Sequence, residues 1–163
     1  YILEGIYFYS GFMFFYNLER NGKMPGSAQE IRYINRDENT HLWLFRNIIK
    51  ELQNENPELF TNEIKSELRE MMEYGVSQEI LWGHYVIGDN IQGINKKLIE
   101  DYIKYLGNKR LREINLEPLY STEYDKNPAS WVDSLSNANS VKTDFFEARS
   151  TAYAKAATLV DDL

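Results

Sequence analysis

The stretch Arg36-Asp37-Glu38-Asn39-Thr40-His41-Leu42 lies inside a run whose apolar residues repeat as in an amphipathic helix. Ile31, Ile34, Glu38, His41, Phe45, Ile48 and Leu52 follow one another at alternating steps of three and four, the spacing that keeps one helix face toward an interior. A glutamate and a histidine therefore take two consecutive inward positions. In a helix they are about 60° apart around the axis and about 4.5 Å apart along it, so both side chains can reach one ion. A Glu-x-x-His alone is common on exposed helices. On an apolar seam it needs an explanation, because a buried carboxylate is costly unless it is paired or bound to a metal.

Outward from this seam, the helix is predicted to begin at Ser27, since Ser27-Ala28-Gln29-Glu30 has the form of a capping box. It should run to about Asn54, ahead of Pro57. Residues 1–20 are apolar nearly all round and predict one buried helix, stopped by Asn21-Gly22 and Pro25-Gly26. A third helix is predicted over 61–86, with a stripe of Ile64, Leu68, Met71, Met72, Gly75, Val76 and Ile80. A fourth is predicted over 95–112, with Leu98, Ile99, Tyr102, Ile103, Leu106 and Leu111. After Leu116 the periodicity weakens. Asn127-Pro128-Ala129-Ser130-Trp131 reads as a turn leading to an anchored tryptophan, and residues 133–144 are polar and expected to be mobile. No strand and no repeat stand out. The class is all-α, with helices of a bundle over 1–116 and an extended segment and tail over 117–163.

Composition narrows the function. A chain of 163 residues with 43% hydrophobic and 14% aromatic content can build a core. A net charge of −7, from 25 acidic against 18 basic residues, argues against nucleic acid or an anionic membrane held by bulk charge. The absence of cysteine excludes disulfides, thiolate metal sites and cysteine nucleophiles, and suits a reducing compartment, so a cytoplasmic location is expected. No run approaches the roughly 18 apolar residues of a membrane span. Residues 1–18 are broken by Glu4, Ser10 and Asn17 and lack the features of a signal peptide. The sequence opens at Tyr1 directly into an aromatic helical run, and is expected to be the C-terminal part of a longer protein.

Glu4 repeats the anomaly of the seam, placed as it is among Leu3, Ile6, Tyr7 and Phe8. If the first two helices pack side by side, Glu4 meets Glu38 and His41. One Glu from one helix and Glu-x-x-His from the next make half of a di-metal carboxylate site, and oxygen and imidazole donors suit iron or manganese. The alternative is a satisfied salt bridge, Glu38 with Arg36 or His41 with Asp37. Glu79 and His84 are five apart, so they do not form a second such motif. Glu79 is expected to be solvated, and His84, near Trp82, to be structural.

"LEGIYFYSGFMFFY" and, 34 positions from Glu4 to Glu38, "INRDENTHL" together resemble the small, radical-generating (β) subunit of class I ribonucleotide reductase, over the C-terminal half of that subunit. The resemblance implies a ferritin-like di-metal bundle in which Glu4, Glu38 and His41 are metal ligands. It implies that Phe8, Phe12 and Ile34 wall an apolar pocket around the metal and radical site. Asp37 matches an aspartate that orients a metal-bound histidine and joins the path of proton-coupled electron transfer. Tyr153, in "STAYAK", matches a tyrosine that relays the radical, and Glu147 a glutamate linked to that transfer. Leu159, Val160 and Leu163, interleaved with Asp161 and Asp162, fit a terminal peptide that docks in a groove of the large subunit.

The same resemblance implies two metal ions, iron–iron first, with manganese–iron or di-manganese as alternatives. The remaining ligands and the radical-storing residue lie in the N-terminal half, which becomes a required partner. A homodimer and the large subunit complete the assembly. Two other readings remain open. One is an R2-like di-metal oxidase or a desaturase, which would have no use for the relay tyrosine and docking peptide. The other is a non-catalytic helical piece.

Overall fold

The computed structural model describes residues 1–137. These residues form an all-helical structure: α1 (Ile2–Gly5), α2 (Tyr9–Arg20), α3 (Pro25–Glu55), α4 (Asn62–Val86), α5 (Lys96–Glu113) and α6 (Ser130–Asn137), with short 3-10 turns at Pro57–Leu59 and Thr122–Asp125. No strand occurs among the described residues. Among the described residues, no helix is long and apolar enough to cross a membrane.

The third and fourth predicted helices form where expected. Thr61 caps α4 by accepting from the Ile64 amide at 3.4 Å, and Asn95 caps α5 by accepting from the Leu98 amide at 2.8 Å. Side chains from α2, α4 and α5, among them Met13, Tyr16, Met72, Val76, Ile99 and Ile103, fill the core. Small residues let these helices approach: a Cβ on Gly83 would lie 2.8 Å from Ile99 Cγ2 and 3.1 Å from Ser10 Cβ.

Four expectations are corrected. The single helix over 1–20 is two helices, separated at residues 6–8, where Phe8 takes φ of +78°. A left-handed phenylalanine is uncommon and must be held by its surroundings. The capping box is not used. Helix α3 starts at Pro25, after Met24 in the left-handed region at φ +49°, and Ser27 falls inside its first turn. Proline's fixed φ and missing N–H suit the first helical position, so it starts the helix ahead of the serine.

The third correction concerns faces. Ala28, Asn35 and Leu42 are the buried residues of α3, whereas Ile34, Phe45, Ile48 and Leu52 of the regular seam are exposed. On α4, Met71 and Ile64 likewise face outward while Met72, Gly75 and Val76 are buried. Periodicity identifies an apolar face, but not which neighbour covers it. The fourth concerns the stretch 133–144 expected to be mobile: residues 133–137 belong to α6 (Ser130–Asn137), and 138–144 lie outside the described residues. Val132 is buried and the Arg20 guanidinium lies 4.0 Å above the Trp131 ring, so the tryptophan is anchored as expected.

Residues 117–125 return along α5 and are tied to it by Asn108. This buried side chain accepts from the Leu119 amide at 3.1 Å and the Tyr120 amide at 3.0 Å, and donates to the Tyr120 carbonyl at 3.1 Å. Asn108→Ala strips partners from all three backbone groups. It is expected to lower stability in urea unfolding by about 2–4 kcal/mol. A change within about 0.5 kcal/mol, the range of ordinary surface substitutions, would show that the return segment is held by other means.

Candidate metal centre

Glu4 projects from the short α1, and Glu38 and His41 from successive turns of α3. The fold brings these three together. His41 Nδ1 is 3.2 Å from Glu38 Oε2 and 3.4 Å from Glu4 Oε1. One ligand atom from each residue lies within 4.8 Å of the other two. Both carboxylates are largely shielded while the imidazole is half exposed. Gly5 permits this approach: a Cβ there would lie 2.9 Å from Leu42 Cδ2, the side chain next to His41.

The salt-bridge alternatives do not form. Arg36 pairs with Asp37 at 3.2 Å on the exposed side of α3, and His41 sits between two carboxylates instead. One imidazole nitrogen can donate to only one acceptor well. Glu4 Oε2 is buried and has no hydrogen-bond partner. Two converging carboxylates, one imidazole and an orphaned buried oxygen fit a cation better than they fit each other. The donor set of oxygen and one nitrogen suits iron or manganese.

Beside the triad, α2, α3 and α4 enclose a cavity of about 720 Å³. Phe8, Phe12 and Ile34, the three residues expected around the site, line it together with Glu38. Phe12 is buried, while Phe8 and Ile34 remain partly open to solvent. Phe15, Ile31 and Trp82 extend the apolar wall. Asp37 makes its bonds to Arg36 rather than to His41. Tyr153 and Glu147 lie outside the described residues.

Glu79 corrects the sequence reading. It is 2% exposed rather than solvated, and lines the same cavity. Its carboxylate accepts from the Ser10 amide at 2.9 Å and from the Ser10 hydroxyl. The signal was available: Met72, Val76, Glu79 and Gly83 share one face at steps of four, three and four, the logic already applied to α3. His84 is structural as expected, its Nε2 lying 3.0 Å from the Lys96 carbonyl.

The model of the ribonucleotide reductase small-chain family matches residues 1–128. The chain belongs to that family. It is 63% identical, over its whole length, to the ribonucleoside-diphosphate reductase subunit beta of Treponema pallidum, and covers 47% of that protein. It is 47% identical to the same subunit of Halalkalibacterium halodurans, with 94% of this chain and 44% of that one aligned. Among solved structures, the ribonucleotide reductase R2 subunit from Clostridium botulinum superposes with a TM-score of 0.80 at 59% identity, over 83% of this chain and 43% of that one. The fold is thus the ferritin-like helical fold of R2 subunits. The chain spans about half the length of the curated relatives it matches.

Burial raises the Glu79 carboxyl above its ordinary 4.5, and bonds from the Ser10 hydroxyl and the Ser10 and Phe8 amides pull the other way. A raised folded value means the folded state keeps its proton to higher pH than the unfolded chain. Stability from this group is therefore lost as pH rises from about 4.5 through the folded value. Glu79→Gln should remove that loss, so its stability relative to wild type should rise between acid and neutral pH. Urea midpoints across this window check it, and two parallel profiles would count against a buried titrating carboxyl.

Proposed function

We propose that this chain supplies half of the di-metal site in the small subunit of a class I ribonucleoside-diphosphate reductase. Glu4, Glu38 and His41 are the metal ligands in this reading. What carries it is the convergence of their ligand atoms, each within 4.8 Å of the others, with Glu4 Oε2 buried and unpartnered. Family membership and relatives named as the beta subunit of that reductase support it. When bound, two metal ions would supply the oxygen activation that produces the oxidant used by the large subunit. Their identity, iron or manganese, is left open by this donor set.

The residues of the chain itself have simpler tasks. Glu4 and Glu38 provide negative charge and His41 a neutral nitrogen. Phe8, Phe12 and Ile34 exclude water from one side of the site. Asp37 bonds to Arg36 and not to His41; in this reading the histidine it orients is supplied, with the remaining ligands, by the N-terminal half of the subunit. Residues 1–116 act as the bundle part, and 117–163 as the extended segment together with the docking and radical-relay tail. In this reading Tyr153 and Glu147 carry the radical and its proton toward the large subunit, and the terminal residues dock there. The working state is a homodimer bound to the large subunit.

Elemental analysis tests the reading directly, on the chain alone and mixed with an N-terminal half. Near-stoichiometric iron or manganese is expected in the mixture, with loss in Glu38→Ala. Absence of metal from both samples, with folding unchanged by Glu38→Ala, would leave only a structural role.

A further inference from the structure

The break between α1 and α2 lies four residues after Glu4. Its angle decides where that carboxylate points relative to α3. A break inside a core exposes backbone groups that a continuous helix would have paired, and those groups need partners. Both sides of this break are served by buried charged residues from other helices.

On the α1 side, the Arg110 guanidinium of α5 donates from Nε to the Gly5 carbonyl at 3.2 Å. On the α2 side, the Glu79 carboxylate of α4 accepts from the Ser10 amide at 2.9 Å and from the Ser10 hydroxyl. The signs match the helix ends. A cation meets the last carbonyl of one helix, and an anion meets the first amides of the next. No side chain within α2 caps its start. Arg110 also donates to the Tyr9 hydroxyl at 2.9 Å, so it grips both helices. Both residues are buried, at 2% exposure for Glu79 and 5% for Arg110. Two glycines make room for the grip. A Cβ on Gly5 would lie 3.1 Å from Arg110 Nε, and one on Gly83 would lie 3.1 Å from Ser10 Cβ.

Resting on the reading of Glu4 as a metal ligand, we propose that Glu79 and Arg110 are positioning residues for the metal centre: they hold the α1–α2 break at the angle that aims the Glu4 carboxylate at Glu38 and His41. Neither residue touches the triad. Their effect travels through the backbone of residues 5–10. A wrong angle at the break would leave Glu38 and His41 in place and withdraw the third ligand.

The test compares wild type with Glu79→Leu, Glu79→Gln, Arg110→Lys and Glu4→Ala. Folding is checked by circular dichroism and the melting temperature. Hydrogen exchange at the Phe8 and Ser10 amides reports the break without metal. Mn(II) affinity, from the loss of the free-ion electron paramagnetic resonance signal, reports the site, in the chain alone and with the N-terminal half. Glu79→Leu should speed exchange at Ser10 and weaken Mn(II) binding about 10–100-fold, the range for residues that support ligands from behind. Glu79→Gln keeps an acceptor oxygen and should stay within a few-fold of wild type. If Glu79→Leu does not fold, Arg110→Lys carries the comparison. It keeps the charge but loses the guanidinium fork, and should weaken binding about tenfold.

A folded Glu79→Leu with faster exchange at Ser10 but wild-type affinity would overturn the proposal. So would equal losses in Glu79→Leu and Glu79→Gln, or, where Arg110→Lys stands in, wild-type affinity in that variant. Wild type that binds no Mn(II) in either state, or Glu4→Ala that binds as wild type does, would instead overturn the ligand reading beneath it.

Discussion

The constraint on which this structure turns is the need to satisfy backbone groups inside an apolar core. Residues 6–8 interrupt a helix whose neighbours are almost all buried or aromatic, and water is not available to every group the interruption frees. The fold answers with charged side chains. Glu79 and Arg110 are buried from solvent on α4 and α5, which pack closely along one another. An isolated buried charge would be destabilising by several kcal/mol, and one that terminates a helix dipole and takes its free amides or carbonyls has part of that cost offset where it sits. The helices must then come close enough for those side chains to reach. Gly83 and Gly5 lie where any larger residue would push the partners apart.

The same local decision shapes the proposed metal-binding face. Glu4 belongs to a helix of only four residues, too short to be stable by its own hydrogen bonds. Its position is therefore set from outside: by Ile2 against Gly75, by Gly5 against Leu42, and by Arg110 on the Gly5 carbonyl. Glu38 and His41 stand instead on a helix of 31 residues, whose rigidity places them relative to one another at no further cost. The triad thus combines two side chains fixed by helix geometry with a third fixed by tertiary packing.

That division explains what could be read in the sequence. Glu38 and His41 were legible because a three-residue step on a regular helix is a local fact. The starts of α4 and α5 were legible for the same reason, since Thr61 and Asn95 sit at their caps. The break at Phe8 was not legible. Gly5 and the β-branched and aromatic residues of "GIYFYS" are weak helix formers, but that weakness does not say at which residue the helix breaks, and the groups that meet the break, Glu79 on Ser10 and Arg110 on Gly5, are 69 and 105 residues away. Glu79 was misread for a related reason. A lone glutamate on a helix defaults to solvent, and only its register with Met72, Val76 and Gly83 shows the buried face. On α3 the period was right and the direction wrong, because Ala28, Asn35 and Leu42 make a less conspicuous stripe than the isoleucines and phenylalanine beside it.

That more conspicuous stripe connects the fold with the proposed role. Ile34, Phe45, Ile48 and Leu52 stay exposed along α3, and Leu81, Trp82 and Tyr85 along α4. Each exposed apolar side chain of this size forgoes part of the about 1.5–3 kcal/mol that full burial would contribute. Scattered singly such residues are ordinary, but Ile34 and Trp82 come together on the wall of one cavity. The cavity opens between these two helices, and Glu38 is at once a member of its wall and of the triad. The proposed ligands and an exposed apolar wall therefore meet at Glu38. A segment that packed along Ile34 and Trp82 would enter beside Glu38, so hydrophobic burial could supply the free energy for ordering whatever further ligands it carried.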